Sequence, residues 1–297
     1  MIDVIGVGAN SVDFVYRLPS FPAPDTSFAK LRISEHLISC GGQVTTALAT
    51  CAAMGLSTSY IGTIGSDRNG ERIRDELQRR SIDASGAVAR HAANPFAVIL
   101  LDEGHGERVV LWHRDAAIAL SPAEVDREAV TTARLLHVDD VDIEASVQAA
   151  HMARAAGKPV TSDIERTGDE ARTLVDAVTI PIFAEHVPAA LTGDDDLTRA
   201  LARLRKPHHA MLCVTLGARG ALLMAGDDIV REPGIAVKTV DTTGAGDIFR
   251  GAFIYAFLRG DPPREIVRFA NAAAALSCTR IGAMSSIPSL TEIGRRS

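Results

Sequence analysis

The sequence predicts an α/β protein: a doubly wound, mainly parallel sheet carrying a small β-sheet lid. Three observations carry that reading. Short β-branched apolar runs alternate with helical stretches over most of the chain, two stretches with prolines or a turn interrupt the alternation, and a glycine-rich turn opens an apolar helix near the end. The 297 residues, 46% hydrophobic and 23% charged, suffice for one large core with an insertion.

In chain order, the first strand is read at IDVIGVG (2–8), ending in a Gly-x-Gly turn. Residues 13–38, DFVYRLPSFPAPDTSFAKLRISEHLI, carry prolines and no helical period. Residues 95–114, PFAVILLDEGHGERVVLWHR, read as a β-hairpin turning at DEGHGE. These two stretches are expected to form the lid, leaving 1–12, 39–94 and 115–297 as the large α/β domain. Between them come a helix at TTALATCAAMG (45–55), a strand at STSYIGTIG (57–65) and a helix at GERIRDELQRRS (70–81). Further strands are read at ARLLHVDDV (133–141), KPVTSDI (158–164) and AMLCVTLG (210–217), with a helix at EASVQAAHMARAAG (144–157). The last is a helix after DTTGAG, whose Ile248, Phe249, Phe253, Ile254, Ala256 and Phe257 suit burial.

Composition and motifs exclude several classes. A formal net charge of -6 argues against a nucleic-acid-binding surface, which needs clustered Lys and Arg. The four cysteines, Cys40, Cys51, Cys213 and Cys278, form no CxxC pair and suggest neither a zinc site nor a disulfide framework. Asp3 stands where a signal peptide would be basic, and no apolar run reaches membrane-span length, so a cytoplasmic location with no membrane partner is expected. The single Gly-Lys pair, Gly157-Lys158, precedes Pro159, which rules out a P-loop; Gly6-Val-Gly8 lacks the third glycine of a dinucleotide fingerprint. There is no GxSxG or HExxH, and His208 and His209 read as solvated loop residues.

The stretch VDTTGAGDIFRGAF (240–253) places Gly244, Ala245 and Gly246 at a helix N-terminus, with Asp247 in its first turn. Free N–H groups and a positive dipole there let an anion approach the backbone, and Asp247 could take a proton from a hydroxyl attacking a phosphoryl group. The alternative is an ordinary helix start, where glycine and Asp are both common.

The rest of the chain adds a resemblance. Asp241-Thr-Thr-Gly-Ala-Gly-Asp247-Ile-Phe249-Arg-Gly251-Ala252 resembles the C-terminal signature of the ribokinase-type (PfkB) carbohydrate kinases, DTTGAGDxFxGA. Gly41-Gly42 through Gly55, followed by Gly62, Gly65, Asp67 and Gly70, resembles their N-terminal signature, and VTLGARGAL (214–222) and RFANAAAALSCTRIGAMSSIPSL (268–290) extend the likeness over nearly the whole chain. The resemblance implies a ribokinase-like fold and transfer of a phosphoryl group from ATP, with Mg²⁺, to a primary hydroxyl of a sugar-like molecule. It implies Asp247 as base and the Gly244–Asp247 amides, through Ala245 and Gly246, as anion hole. It assigns the acceptor to Asn10, Asp13, Gly41, Gly42, Thr46 and the lid, where Arg114 would meet an anionic acceptor and Phe96 and Trp112 would pack. It assigns adenine to Thr215, Gly217 and Asn271, and a monovalent cation, K⁺, to Asp241, Thr243, Ser277, Arg280, Gly282 and Ser286. The Gly41-Gly42 gap would let sugar hydroxyls reach the backbone, and Asp13 could accept from two neighbouring hydroxyls.

Two departures stand out. Thr46 occupies a position where many relatives have Asn, and PIFAEHVPAALTG puts Ala184 and Val187 where many have an Asn-x-x-Glu pair near Mg²⁺, leaving metal charge to Asp163 or Glu165 through water. With LLHVDDVD and SDIE, they tilt the resemblance toward the ketohexokinase and sulfofructose-kinase side. A sugar kinase is the leading expectation. A nucleoside kinase and a non-catalytic sugar- or nucleotide-binding regulator are the alternatives, and an exposed lid edge could pair two copies.

Overall fold

The computed structural model describes residues 1–22, 30–104 and 108–296. The chain runs β1 (Val4–Val7), β2 (Ser11–Leu18), β3 (Glu35–Gly41), α1 (Gln43–Ala53), β4 (Thr58–Ile61), β5 (Thr63–Gly65), α2 (Arg68–Arg79), β6 (Val88–Arg90), β7 (Phe96–Asp102) and β8 (Arg108–His113). It continues through α3 (Arg127–Thr132), β9 (Leu135–Asp139), α4 (Ile143–Ala155), β10 (Val160–Asp163), α5 (Asp169–Ala177), β11 (Ile182–Ala184), α6 (His186–Thr192) and α7 (Leu197–Leu204). Then come β12 (Leu212–Thr215), β13 (Ala221–Ala225), β14 (Asp228–Glu232), α8 (Ala245–Arg259), α9 (Pro263–Ser277) and α10 (Leu290–Gly294).

Strands β4, β1, β9 and β10 lie side by side and parallel. Parallel bridges Thr161–Ile180 and Ile164–Phe183 carry the order on to β11 and β12, and β13 and β14 close that edge antiparallel. All residues of β1, β9 and β10 are buried, as a sheet covered on both faces requires. Successive side chains go to opposite faces: Ile5 and Leu136 join the core under α4 and α5, whereas Val4 and Leu135 join the one under α1. The expected doubly wound sheet is therefore present. The strand expected at 57–65 is two strands, β4 and β5, divided at Gly62, where a Cβ would collide with the Tyr60 hydroxyl and Gly8 O.

A second, four-stranded sheet stands apart in the order β3-β2-β7-β8. β2 pairs antiparallel with β3 and parallel with β7; β7 and β8 form the expected hairpin, Phe96 opposite His113. β2 begins at Ser11 and β3 runs to Gly41, so pairing extends past the 13–38 stretch at both ends. Residues 23–29 of that stretch, and 105–107 of the DEGHGE turn, lie outside the described residues. No helix among the described residues is long and apolar enough to cross a membrane.

Candidate active site

Gly244 caps α8 at φ 74°, left-handed backbone that suits glycine, and a Cβ there would come within 2.7 Å of Ala283 Cβ. No side chain caps the helix. The Ala245 N–H closes weakly on Thr242 O at 3.3 Å, and the helical ladder starts with Ile248 N–H to Gly244 O at 2.9 Å. The amides of Gly246 and Asp247 thus precede the ladder and are the ones best placed to meet an anion, while that of Ala245 is partly engaged in the turn.

Asp247 remains partly accessible while protein packs around its other sides. That burial raises its carboxyl to about 8; Arg250 opposes the rise, Glu165 and Asp13 add to it, and a hydrogen bond with Asp163 works against it. Arg250 lies one turn along α8 and is 1% exposed, with Nη2 2.5 Å from Oδ1 of Asp163 at the end of β10. Asp163, fully enclosed and paired there, is not available to carry metal charge as the sequence had suggested. Glu165 is exposed, and its N–H donates to Asp140 Oδ2 at 2.7 Å.

At the acceptor end the structure sorts the expected residues. Asp13, on β2, is 6% exposed; burial raises it to about 6, Ser11 Oγ donates to its Oδ1 at 3.0 Å, and its charge acts on Asp247. Gly41 lies directly against Asp13 Oδ2, and Gly42 (φ 99°) against the Asn10 backbone. The missing side chains at 41 and 42 therefore first make room for Asp13 and Asn10, a use that the reading of hydroxyls reaching bare backbone overlooked. Asn10 Nδ2 donates to Tyr60 Oη and Thr63 O at 2.9 and 2.7 Å, and its Oδ1 accepts from Asn94. Asn10 is thus a strut that fixes the turn, with both amide hydrogens used inside the protein. Thr46 is fully buried on α1, its hydroxyl without a partner among the described residues, while Thr45 Oγ1 donates to Gly41 O at 2.6 Å. Arg114 grips Asp142 with two contacts of 2.7 and 2.8 Å, so its charge is already matched, contrary to its expected role toward an anionic acceptor. Phe96 packs on Phe14 and His113; Trp112 is 73% exposed.

The glycine turn is tied down on two sides. Asp241 is buried; its Oδ1 accepts from Thr243 N–H and Oγ1, and its Oδ2 from Gly282 N–H at 2.8 Å. The Arg280 N–H donates to Ser277 O, and Ser286 Oγ to Ala283 O, so the six residues expected around a monovalent cation fall on two segments that meet beside Gly244. The second sheet reaches the same place: Ser39 Oγ lies 3.4 Å from Ser285 Oγ, and Arg108 of β8 contacts Thr242.

Thr215, at the end of β12, pairs with Ala221, which pairs with Glu232. Asn271 Nδ2 donates to Glu232 O and Pro233 O at 3.3 and 3.2 Å, which puts it at the same end of the sheet as Thr215 and the exposed Gly217, but with its donors used to hold β14 to α9. Glu185, near the missing Asn-x-x-Glu, pairs with Arg219. Residues that the sequence reading passed over are Tyr60, Asn94 and Arg250. Only Arg250 left a signal: a lone cation inside an apolar helix.

Residues 4–290 match the pfkB family of carbohydrate kinases. The chain belongs to that family. It is 26% identical to the nucleoside kinase of Methanothermobacter thermautotrophicus (99% of this chain, 95% of the relative) and 28% identical to fructokinase-1 of Oryza sativa subsp. japonica (98% and 96%). Among solved structures, a protein from Agrobacterium tumefaciens provisionally named a ribokinase superposes with a TM-score of 0.91 at 28% identity, covering 99% of this chain and 96% of that one. The Arabidopsis thaliana ribokinase with ribose and ATP superposes at 0.83 and 24% identity, which speaks for the fold. This pfkB-family chain is thus an ATP-dependent kinase built on the ribokinase fold, as its two glycine signatures imply.

Proposed function

We propose that the protein phosphorylates a primary hydroxyl of a neutral sugar, ketohexose-like, with ATP as donor. The observation that carries this is the pairing of a helix N-terminus with free amides at Gly246 and Asp247 with a buried second carboxylate, Asp13, on the facing sheet. Asp13 offers a carboxylate to vicinal hydroxyls, and a neutral acceptor is favoured because Arg114 is already paired. The fructokinases among the relatives support a ketohexose; the nucleoside kinase keeps a nucleoside as the second reading.

In this reading Asp247 accepts the hydroxyl proton late in the transfer, and the turn amides stabilise charge on the moving phosphoryl. Mg²⁺ carried on the ATP phosphates would supply charge neutralisation there. Thr215 and Gly217 would border adenine. K⁺ would sit between the 241–243 and 277–286 segments and stiffen the turn. The second sheet would act as a lid, since both Ser39 and Arg108 reach the glycine-turn region. Its β8 edge, with Val109, Val110 and Leu111 exposed, would pair with a second copy, and the enzyme would work in the cytoplasm where ATP is supplied.

ADP release across ketoses, aldoses, sugar acids, sugar phosphates and nucleosides tests the reading, with Asp247→Asn as control. Turnover with a ketose that the variant lacks is expected; wild-type release no greater than the variant's for every acceptor overturns it. Activity unchanged in K⁺-free buffer would remove the cation claim.

A further inference from the structure

Arg250 is an unusual residue for its place. Helix α8 is otherwise apolar where it is buried, yet at this position it carries a guanidinium with 1% exposure, paired with the wholly buried Asp163. Nε and Nη2 of Arg250, like both carboxylate oxygens of Asp163, make no hydrogen bond of ordinary geometry among the described residues, so the two groups are joined by charge at close range. Taking two charges out of water commonly costs as much stability as the pair returns, and apolar replacements of such pairs are often neutral or stabilising.

The geometry around the pair shows what the charge faces. A Cβ on Gly246 would lie 2.7 Å from Arg250 Nη1, so one arm of the guanidinium rests against the turn that opens α8. Nη2 of the same group lies 2.5 Å from Oδ1 of Asp163, and the Asp163 and Asp247 carboxyls are near enough to perturb each other's protonation. Glu165 and Asp140, at the ends of the neighbouring strand segments, and Asp247 on its own helix all act on the same cation, and His137 on β9 feels its charge from below. One fixed positive group therefore sits behind the turn amides and close to the Asp247 carboxyl.

We infer that Arg250 is a positioning residue for phosphoryl transfer: clamped on Asp163 and seated against Gly246, it fixes the glycine turn and the Asp247 carboxyl and backs the turn amides with a permanent positive charge. The inference rests on the kinase reading above. It assigns to Asp163 the part of anchor and to Gly246 that of a residue small enough to let the guanidinium touch the turn.

The test compares wild type, Asp247→Asn, Arg250→Lys and the double variant Arg250→Met/Asp163→Leu, which removes both charges and leaves no buried ion unpaired. ADP release gives kcat and KM with the best acceptor, fluorescent-ATP titration gives nucleotide affinity, and thermal melting reports folding. The double variant is expected to melt near wild type and to keep both KM values within about threefold, while kcat falls about 100-fold, the scale of losing one preorganised donor. Arg250→Lys, keeping the charge without the second arm, should fall between, about tenfold down. A merely structural pair would change the melting temperature and leave kcat of the folded protein alone. Wild-type kcat in a folded double variant overturns the inference while leaving the kinase reading intact; no turnover by wild type with every acceptor overturns both. Should the double variant not fold, Arg250→Lys decides alone: a tenfold loss of kcat at unchanged KM supports the inference, and wild-type kcat refutes it.

Discussion

Asp247 is held at about 8 by burial, and its neighbours divide into Arg250, which lowers it, and Glu165 and Asp13, which raise it. A base must be unprotonated to accept, so kcat/KM of the free enzyme should climb as pH rises through about 8 and level above it. Initial rates from pH 6 to 9.5 check this, and a flat profile would count against Asp247 as the base. Replacing it by Asn should lower kcat by about 10²–10⁴ with the acceptor KM little changed. Gly244→Ala forces a side chain into left-handed backbone and onto Ala283, and should cost about 1–3 kcal/mol in stability by denaturant titration. The base and its turn were legible in the sequence because one contiguous segment encodes them. Tyr60 and Asn94 were not, since their roles exist only once β4 and the segment before β7 converge on Asn10 from far along the chain. Arg114 looked like a specificity residue for the converse reason: nothing local announces that Asp142 will fold back to meet it.

Helix starts in this protein differ in whether a side chain closes them. α2, α3 and α7 are closed by Asp67, Asp126 and Asp196, whose carboxylates accept from their own first-turn amides. α1, α5 and α8 begin instead at Gly42, Gly168 and Gly244 with no capping side chain; of these, Gly42 and Gly244 lie beside the Asp13 and Asp247 carboxyls. α1 and α8 also pack on each other: a Cβ at Gly251 would meet Thr50 Cβ at 2.5 Å and Ala47 O at 2.6 Å. Gly251→Ala should therefore push α8 from α1, lower stability by about 1–3 kcal/mol in a thermal or denaturant melt, and reduce kcat by moving the turn. Most elements up to β10, together with β12 and α8, could be read from hydrophobic period, whereas β6, α3, α5 to α7, β11, β13, β14, α9, α10, the split of 57–65 and the extra pairing at Ser11 and Gly41 were not read. The last two involve backbone approaches between distant segments.

Across the whole molecule, burial of carboxyls links stability to pH. Asp13, Asp139 and Asp247 stand at about 6, 7 and 8, all above their ordinary value, so each binds its proton more tightly folded than unfolded. Their contribution is full below the ordinary carboxylate range and is lost progressively as pH rises from there, completely for Asp13 by about 6, for Asp139 by about 7 and for Asp247 by about 8. His137, buried and lowered to about 3, works in the other direction and loses its contribution as pH falls below about 6.5. The ligand-free protein should melt highest near the upper end of the ordinary carboxylate range, with Tm declining from about pH 4.5 to about pH 8. In Asp13→Asn the early part of that decline should flatten; an unchanged slope by calorimetry would place the pH dependence elsewhere.

The chain contains one tryptophan, and it is Trp112, 73% exposed on β8 and well away from the main core. All indole emission therefore originates on the second sheet, without any engineered label. If that sheet closes over bound sugar, steady-state and stopped-flow fluorescence will follow the closure directly, and the emission maximum will shift with acceptor at a rate that can be set beside turnover.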